Sequence, residues 1–258
     1  MSRHRSNKPN DRARGSRSRR RSPAGGDRGE RSQASDGKRR RDLTGAAANL
    51  PNWVVDDLAR VTQPDRVAPA LRELGEASAA LSDGRYHSAA KHAAAAKELA
   101  PQDATVRETL AVASYRTGDW AAALRELRTY RRMTGDTTHL PVEIDVLRAL
   151  ERPDDVEKAF EELSKRGGRP TVVKEGIVVF ASFLIDEGEL KRALELTRPK
   201  QITANPHEAD LRVWYVAARA AALLGDAATA KRLADAIVVA DPSFPGLDDL
   251  DKLVAAAG

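Results

Sequence analysis

The sequence predicts an all-α fold, a helical solenoid of about five helix–turn–helix repeats with flanking helices, preceded by a basic arm. Three observations carry this reading. The charge changes along the chain: residues 1–45 hold 15 Lys/Arg against 5 Asp/Glu, a net +10, whereas residues 46–258 hold 28 against 33, a net −5. From Leu43 onward, alanine, leucine and charged residues recur with helical period. Five times a turn residue stands five positions before an alanine, at Gly84…Ala89, Gly118…Ala123, Asp154…Ala159, Gly188…Ala193 and Gly225…Ala230, the alanines being 34, 36, 34 and 37 apart. A period near 34 is what two short helices and two tight turns consume.

The arm comes first. Within residues 1–41 the apolar side chains are Met1, Ala13, Ala24 and Ala34, so nothing offsets the entropy of ordering and disorder is expected. It has neither the apolar run of a signal peptide nor the apolar helix face of a presequence. Two clusters stand out, Arg17, Arg19, Arg20, Arg21 and Lys38, Arg39, Arg40, Arg41. Arginine forks meet phosphate oxygens in pairs and release counterions, so these clusters are candidates for salt-sensitive RNA or DNA phosphate contact through residues 1–41. No aromatic residue interleaves them, which removes base stacking. A solubilising tail, one that folds back on the acidic remainder, and an anionic-membrane or import role stay open beside that reading.

The helical part follows in order. The segment 51–62 reads as a helix with Asn52 as N-cap and an apolar face of Trp53, Val54, Leu58 and Val61. Repeats are expected near 70–103, 104–137, 140–173, 174–207 and 211–244. In their first helices Val106, Leu110 and Ser114 share a stripe, as do Ile177, Phe180, Ala181 and Leu184. In the second helix of the second unit Trp120, Ala123, Leu124 and Leu127 recur at i, i+3, i+4 and i+7. Glycine ends each first helix because the chain reverses there in left-handed geometry. The alanine lets two antiparallel helices approach closely, and Pro101, Pro170, Pro206 and Pro242 stop one helix and begin the next. The third unit departs from the pattern, with Asp154 for glycine and Leu147 where a small residue belongs, so its first helix is expected to be short or tilted. The end helix, 246–257, places Leu247, Leu250, Leu253 and Val254 toward the last repeat and Asp248, Asp249 and Asp251 toward water, as a solenoid terminus requires.

These residues resemble the tetratricopeptide repeat, whose pattern runs W-x₂-L-G-x₂-Y, then A-x₃-F, then P. The fifth unit carries Trp214, Ala218, Ala230, Ala234 and Pro242 at the matching sites. The first has Ala89, Ala93 and Pro101. The second has Leu110, Ala111, Ala123 and Leu127, with Gly135 in place of the proline, and the fourth keeps Phe180, Ala181 and Ala193. The resemblance covers residues 65–242. It implies a right-handed solenoid whose concave face is lined by first helices, and therefore Glu108, Val112, Tyr115, Arg148, Arg212, Tyr215 and Arg219 as partner-binding positions. The family's clamp for acidic chaperone tails has no counterpart, because Leu74, Ser78, Thr109, Pro141 and Asp145 occupy its sites. Tyr215, Arg219 and Arg212 would form a patch one helical turn apart, unless Tyr215 belongs to the core between repeats.

Catalytic chemistry is not legible. There is no cysteine, hence no disulfide or thiolate metal site, and the five histidines are scattered through arm, helices and turns. His87 and His92 are five apart, not the i, i+4 spacing of paired ligands, and neither His-Glu-x-x-His nor Gly-x-Ser-x-Gly occurs. The longest apolar run, Ile177 to Ile185, falls far short of the ~20 residues that cross a membrane. The expectation is a cytoplasmic, non-enzymatic adaptor without a cofactor, holding a protein or peptide on the solenoid. The alternative is an RNA- or ribosome-associated protein anchored by its arm.

Overall fold

The structure, a computed structural model, describes residues 43–257. Arg17, Arg19, Arg20, Arg21, Lys38, Arg39, Arg40 and Arg41 lie outside the described residues. Among those described there is no strand, and the all-α expectation holds. A 3₁₀ turn, Gly45–Asn49, precedes α1 (Asn52–Val61). Five antiparallel pairs follow: α2 (Pro64–Ser82) with α3 (Tyr86–Leu99), α4 (Ala104–Arg116) with α5 (Trp120–Thr134), α6 (Leu140–Ala149) with α7 (Pro153–Arg166), α8 (Pro170–Asp186) with α9 (Leu190–Thr197), and α10 (Glu208–Leu223) with α11 (Ala227–Ala240). The last helix is α12 (Leu247–Ala257). Each second helix packs on the first helix of the next pair. First helices also adjoin directly, α2 with α4, α6 with α8, α8 with α10, and α10 with α12.

One hydrogen-bonded turn recurs in every pair. The first helix ends with a residue at positive φ, and the next residue's N–H reaches back to the carbonyl five positions earlier: Arg85 to Ala80, Asp119 to Ser114, Arg152 to Leu147, Glu189 to Leu184 and Asp226 to Ala221. This is the bond pattern of a Schellman cap, which satisfies carbonyls the helix leaves open. Four of the turns use Gly84, Gly118, Gly188 and Gly225, at φ 72°, 77°, 77° and 80°.

The third unit corrects the register read from the sequence. Its left-handed residue is Glu151, at φ 54°, not Asp154, which lies in the first turn of α7. The fifth position after it is Val156, fully buried, so Val156 and not Ala159 is the counterpart of the repeat alanine. Phe160 then falls at the aromatic site of the A-x₃-F half-motif. The spacing search preferred Ala159 because it sought a small residue, whereas the turn bonds define the register. As expected, the first helix of this unit, α6, is short, with ten residues.

Small residues set how closely the other pairs approach. Ala77 and Ala89, Ala111 and Ala123, Ala181 and Ala193, and Ala218 and Ala230 are all fully buried, while the third unit has buried Ile144 and Val156 at the same places. Larger groups pack beyond it: Phe160 stacks on Phe180 with ring centroids 4.0 Å apart, and Phe180 meets Phe183 at 5.8 Å. At the N-terminal end the approach is closer still. Gly75 of α2 faces the backbone of the 3₁₀ turn, where a Cβ would come 2.5 Å from the amide nitrogen of Ala47.

Helix ends refine the expected boundaries. Two first helices start earlier than the repeat limits suggested, at Pro64 and Pro170, because proline at the first helical position has a suitable φ and no N–H to satisfy. Asn52 is not a cap; Pro51 holds that position and Asn52 begins α1. Asp103, Asp119 and Asp226 accept the amides of Val106, Ala122 and Thr229 and cap their helices. In α12, Leu250 is buried and Leu247, Leu253 and Val254 are half-buried, with Asp248, Asp249 and Asp251 exposed, as expected for a terminal helix.

Two buried glutamates tie successive pairs together. Glu126 on α5 accepts from Lys97 of α3 at 2.8 Å, from Arg107 of α4 at 2.6 Å and from its neighbour Arg125 at 3.0 Å. Glu143 on α6 accepts from Arg128 and Arg131 of α5 at 2.9 and 3.1 Å, and Arg131 continues to Glu162 of α7 at 2.5 Å. Burial alone would raise the carboxyl of Glu126, but the three donors outweigh it and hold it below 4.5.

Three outcomes follow for stability. Glu151→Gly should stabilise the chain by about 0.5–1 kcal/mol, since relieving a left-handed non-glycine (about 1–2 kcal/mol) exceeds the added unfolded-state entropy; thermal melts would show it. Gly75→Ala should cost about 1–3 kcal/mol, because backbone and not a movable side chain stands in the way. Glu126→Ala should cost about 3 kcal/mol by leaving Lys97 and Arg107 unpaired in a poorly hydrated site. The carboxyl is depressed in the folded state, so the wild-type contribution is present above pH 4.5 and is lost as pH falls below it. Denaturant titrations from pH 3 to 7 should show that acid-dependent component shrink in Glu126→Gln.

Candidate functional site

The first helices carry most of the residues singled out from the sequence, and polar bonds join several of them across pairs. The Tyr115 hydroxyl of α4 donates to Asp145 of α6 at 2.7 Å, and its ring meets Trp120 edge-on at 5.6 Å. Arg148 of α6 donates to the same Asp145 at 3.2 Å and to Asp186 at the end of α8 at 2.6 Å. A chain of four side chains therefore spans three successive first helices. In the corrected register Tyr115 and Arg148 are equivalent, each three residues before its left-handed residue. Burial pushes the Tyr115 hydroxyl up to about 12, and the bond to Asp145, with that carboxylate's charge, adds to the rise.

Other candidates are placed separately. Arg212 of α10 donates to Glu175 of α8 at 2.9 Å and lies 3.4 Å from Glu208 on its own helix, while Lys174 pairs with Asp210 at 2.7 Å. Tyr215 turns to the C-terminal segment: its ring lies 5.6 Å from Phe244 and its hydroxyl donates weakly to the Gly246 carbonyl at 3.4 Å. Arg219 is half-buried and, among the described residues, pairs with no carboxylate. The structure thus gives Arg212, Tyr215 and Arg219 three different surroundings on one helix. Val112 is half-buried on α4. Glu108, four residues before it, holds Nε2 of His139 at 2.6 Å, and the His139 ring meets Tyr130 at 5.2 Å.

The positions that the resemblance to the tetratricopeptide repeat would give to a carboxylate clamp have other surroundings. Leu74 and Pro141 are buried, the Thr109 hydroxyl donates to the Thr105 carbonyl of its own helix, and Asp145 is a carboxylate already held by Tyr115 and Arg148. Among the described residues no group of three or more His, Asp or Glu converges as metal ligands, and no helix is long and apolar enough to cross a membrane.

One surface went unread in the sequence. Trp53 and Val61, assigned to the apolar packing face of α1, are 58% and 46% exposed, while Val54, Val55 and Leu58 make the buried face instead. The stripe Trp53, Asp57, Arg60, Val61, at i, i+4, i+7 and i+8, faces a groove bounded by the start of α4 and the end of α5. Periodicity marks both stripes as contiguous; the core they can join, with Leu71 and Leu74 of α2, Ala96 of α3 and Val106 of α4, decides which is covered. Comparison of the chain with protein-family models, with curated proteins and with solved structures finds no match.

The Tyr115 bond gives a direct test. The folded state holds this proton more tightly than a tyrosine of ordinary value 10.0, so stability should be unaffected below pH 10 and fall as pH rises toward 12. Absorbance titration should show one phenol ionising near 12, and Asp145→Asn should bring it down without restoring 10.0, since burial remains.

Proposed function

We propose that residues 43–257 form a right-handed solenoid of the tetratricopeptide type that acts as a non-enzymatic scaffold, holding a protein or peptide partner along its first helices. One observation carries the reading: five turns with a left-handed residue at the same place and the same five-back hydrogen bond, in units where each second helix packs on the first helix of the next. Such a stack presents a continuous row of first-helix side chains to a ligand, a surface suited to extended partners and not to a closed, dry reaction site. Within that row the ladder Tyr115–Asp145–Arg148–Asp186 is internally satisfied and rigid. Val112 and Arg219, without such commitments among the described residues, are the adaptable contacts. The chain would work in the cytoplasm, needing no cofactor.

A second reading, an RNA- or ribosome-associated protein, is favoured by one feature alone, the net +10 of residues 1–45 against −5 for the rest. There the arm supplies phosphate contact and the repeats recruit a protein.

The two readings separate experimentally. Val112→Glu with Arg219→Glu should reduce recovery of a co-purifying protein by about tenfold or more while leaving circular dichroism unchanged; undiminished recovery removes the first-helix surface from consideration. Deleting residues 1–45 should abolish binding to a random-sequence RNA, whose affinity for the whole chain should fall steeply with salt. RNA binding that survives the deletion overturns the assignment to the arm.

A further inference from the structure

The groove beside α1 has a composition that a partner-free surface does not explain. Among the described residues seven large apolar side chains are exposed, and three of them, Trp53, Val61 and Met133 at 58%, 46% and 37%, line this one groove of about 400 Å³. The half-buried ring of Tyr130 adds a second aromatic wall. Exposed tryptophan is costly in water, and grouped with other apolar residues it marks a contact surface. Tryptophan and tyrosine are also side chains on which binding energy concentrates.

Charge selects the occupant. Three carboxylates, Asp57, Asp103 and Glu108, line the groove against a single guanidinium, Arg60. Arg60 is bonded to Asp57 in an exposed pair one turn apart, which contributes little. Glu108 is engaged on one side by His139. Asp103 is 2% exposed and spends one oxygen on the Val106 amide. Desolvation raises its carboxyl against the backbone amides of Val106 and Thr105, which lower it, and the charge of nearby Asp57 adds to the rise. An acidic or phosphorylated segment would be repelled there. A purely apolar one would leave the excess of carboxylates over guanidinium along the groove unused.

We propose that the groove between α1 and the α4–α5 hairpin docks a segment of a partner protein in which an arginine or lysine neighbours a large apolar side chain. The apolar side chain sits against Val61, Met133 and Tyr130. The cation takes the face of Trp53 and the carboxylates of Asp57 and Glu108, combining ring and ion-pair attraction. The groove lies where the chain enters α4 and leaves α5, so this inference stands apart from the first-helix surface; Glu108 alone belongs to both.

The probe is a pair of synthetic peptides, acetyl-Leu-Arg-Leu-Arg-Leu-amide and its Leu-Glu-Leu-Glu-Leu counterpart, titrated calorimetrically into the whole chain and its variants. Trp53 lies on the surface, so Trp53→Ala leaves the packed face of α1 intact; Asp57→Asn with Glu108→Gln provides an independent variant of similar volume. The basic peptide should bind the wild-type chain and lose about tenfold in affinity in each variant. It should also shield one tryptophan from acrylamide quenching, the signal absent in Trp53→Ala. Any binding of the acidic peptide to the basic arm should be the same in wild type and Trp53→Ala. Basic-peptide binding indifferent to Trp53→Ala overturns the proposal, as does an acidic peptide that needs Trp53. A concentration-dependent dimer by sedimentation that Trp53→Ala dissolves would overturn it too, since a second copy would then be the occupant.

Discussion

Each first helix ends in a left-handed residue, and the geometry that follows depends on that reversal. The positive φ at Gly84, Gly118, Glu151, Gly188 and Gly225 lets the next amide bond back into the helix just finished, which fixes the direction in which the second helix leaves. Five residues later the chain lies against its own first helix, and the side chain there sets the separation. Alanine at four of these places holds the pairs close; Val156 stands at the fifth. Because each pair repeats one turn, its apolar surplus is covered by the next pair in sequence. The stack then grows by neighbour contacts alone.

Alanine packing has an energetic consequence. Small side chains bury little area each, so the part of the interface between the first and second units built from Ala77, Ala93 and Leu110 beside Ala80, Ala89 and Ala113 offers little hydrophobic stabilisation per contact. Directional interactions supplement it. Glu126 collects donors from three helices at that joint, and Glu143 takes two arginines of α5 at the next. A buried carboxylate with its donors in place adds less net stability than it adds discrimination, because any slipped arrangement strands a charge. From the second unit onward one large cluster, taking in Leu127, Ile144, Phe180 and Trp214, takes over.

The candidate surfaces divide by how committed their side chains are. Tyr115, Asp145, Arg148 and Asp186 satisfy one another and stiffen the row of first helices. Tyr215, an attractive binding residue on spacing alone, is turned toward Phe244 and Gly246 and helps seat the terminal helix. Trp53 shows the opposite: an aromatic at a helical apolar position that remains in solvent, in a groove lined by three carboxylates and one guanidinium.

What the sequence by itself determined is the element count, the helical period, the glycine reversals and the amphipathic end helix, all of which depend on residues close together in the chain. Backbone conformation and helical periodicity are local properties, so they can be read locally. Three matters were decided only by the tertiary structure. The register of the third unit depends on which residue completes a five-back hydrogen bond, and Glu151 is invisible to a search for glycine. The burial of Glu126 and Glu143 depends on arginines and a lysine brought in from other helices. Which stripe of α1 is covered depends on where α2, α3 and α4 lie, because Val54, Val55 and Leu58 and the neighbouring stripe through Trp53 and Val61 have the same period. Burial belongs to the pair of surfaces that meet, and a sequence pattern describes only one of them.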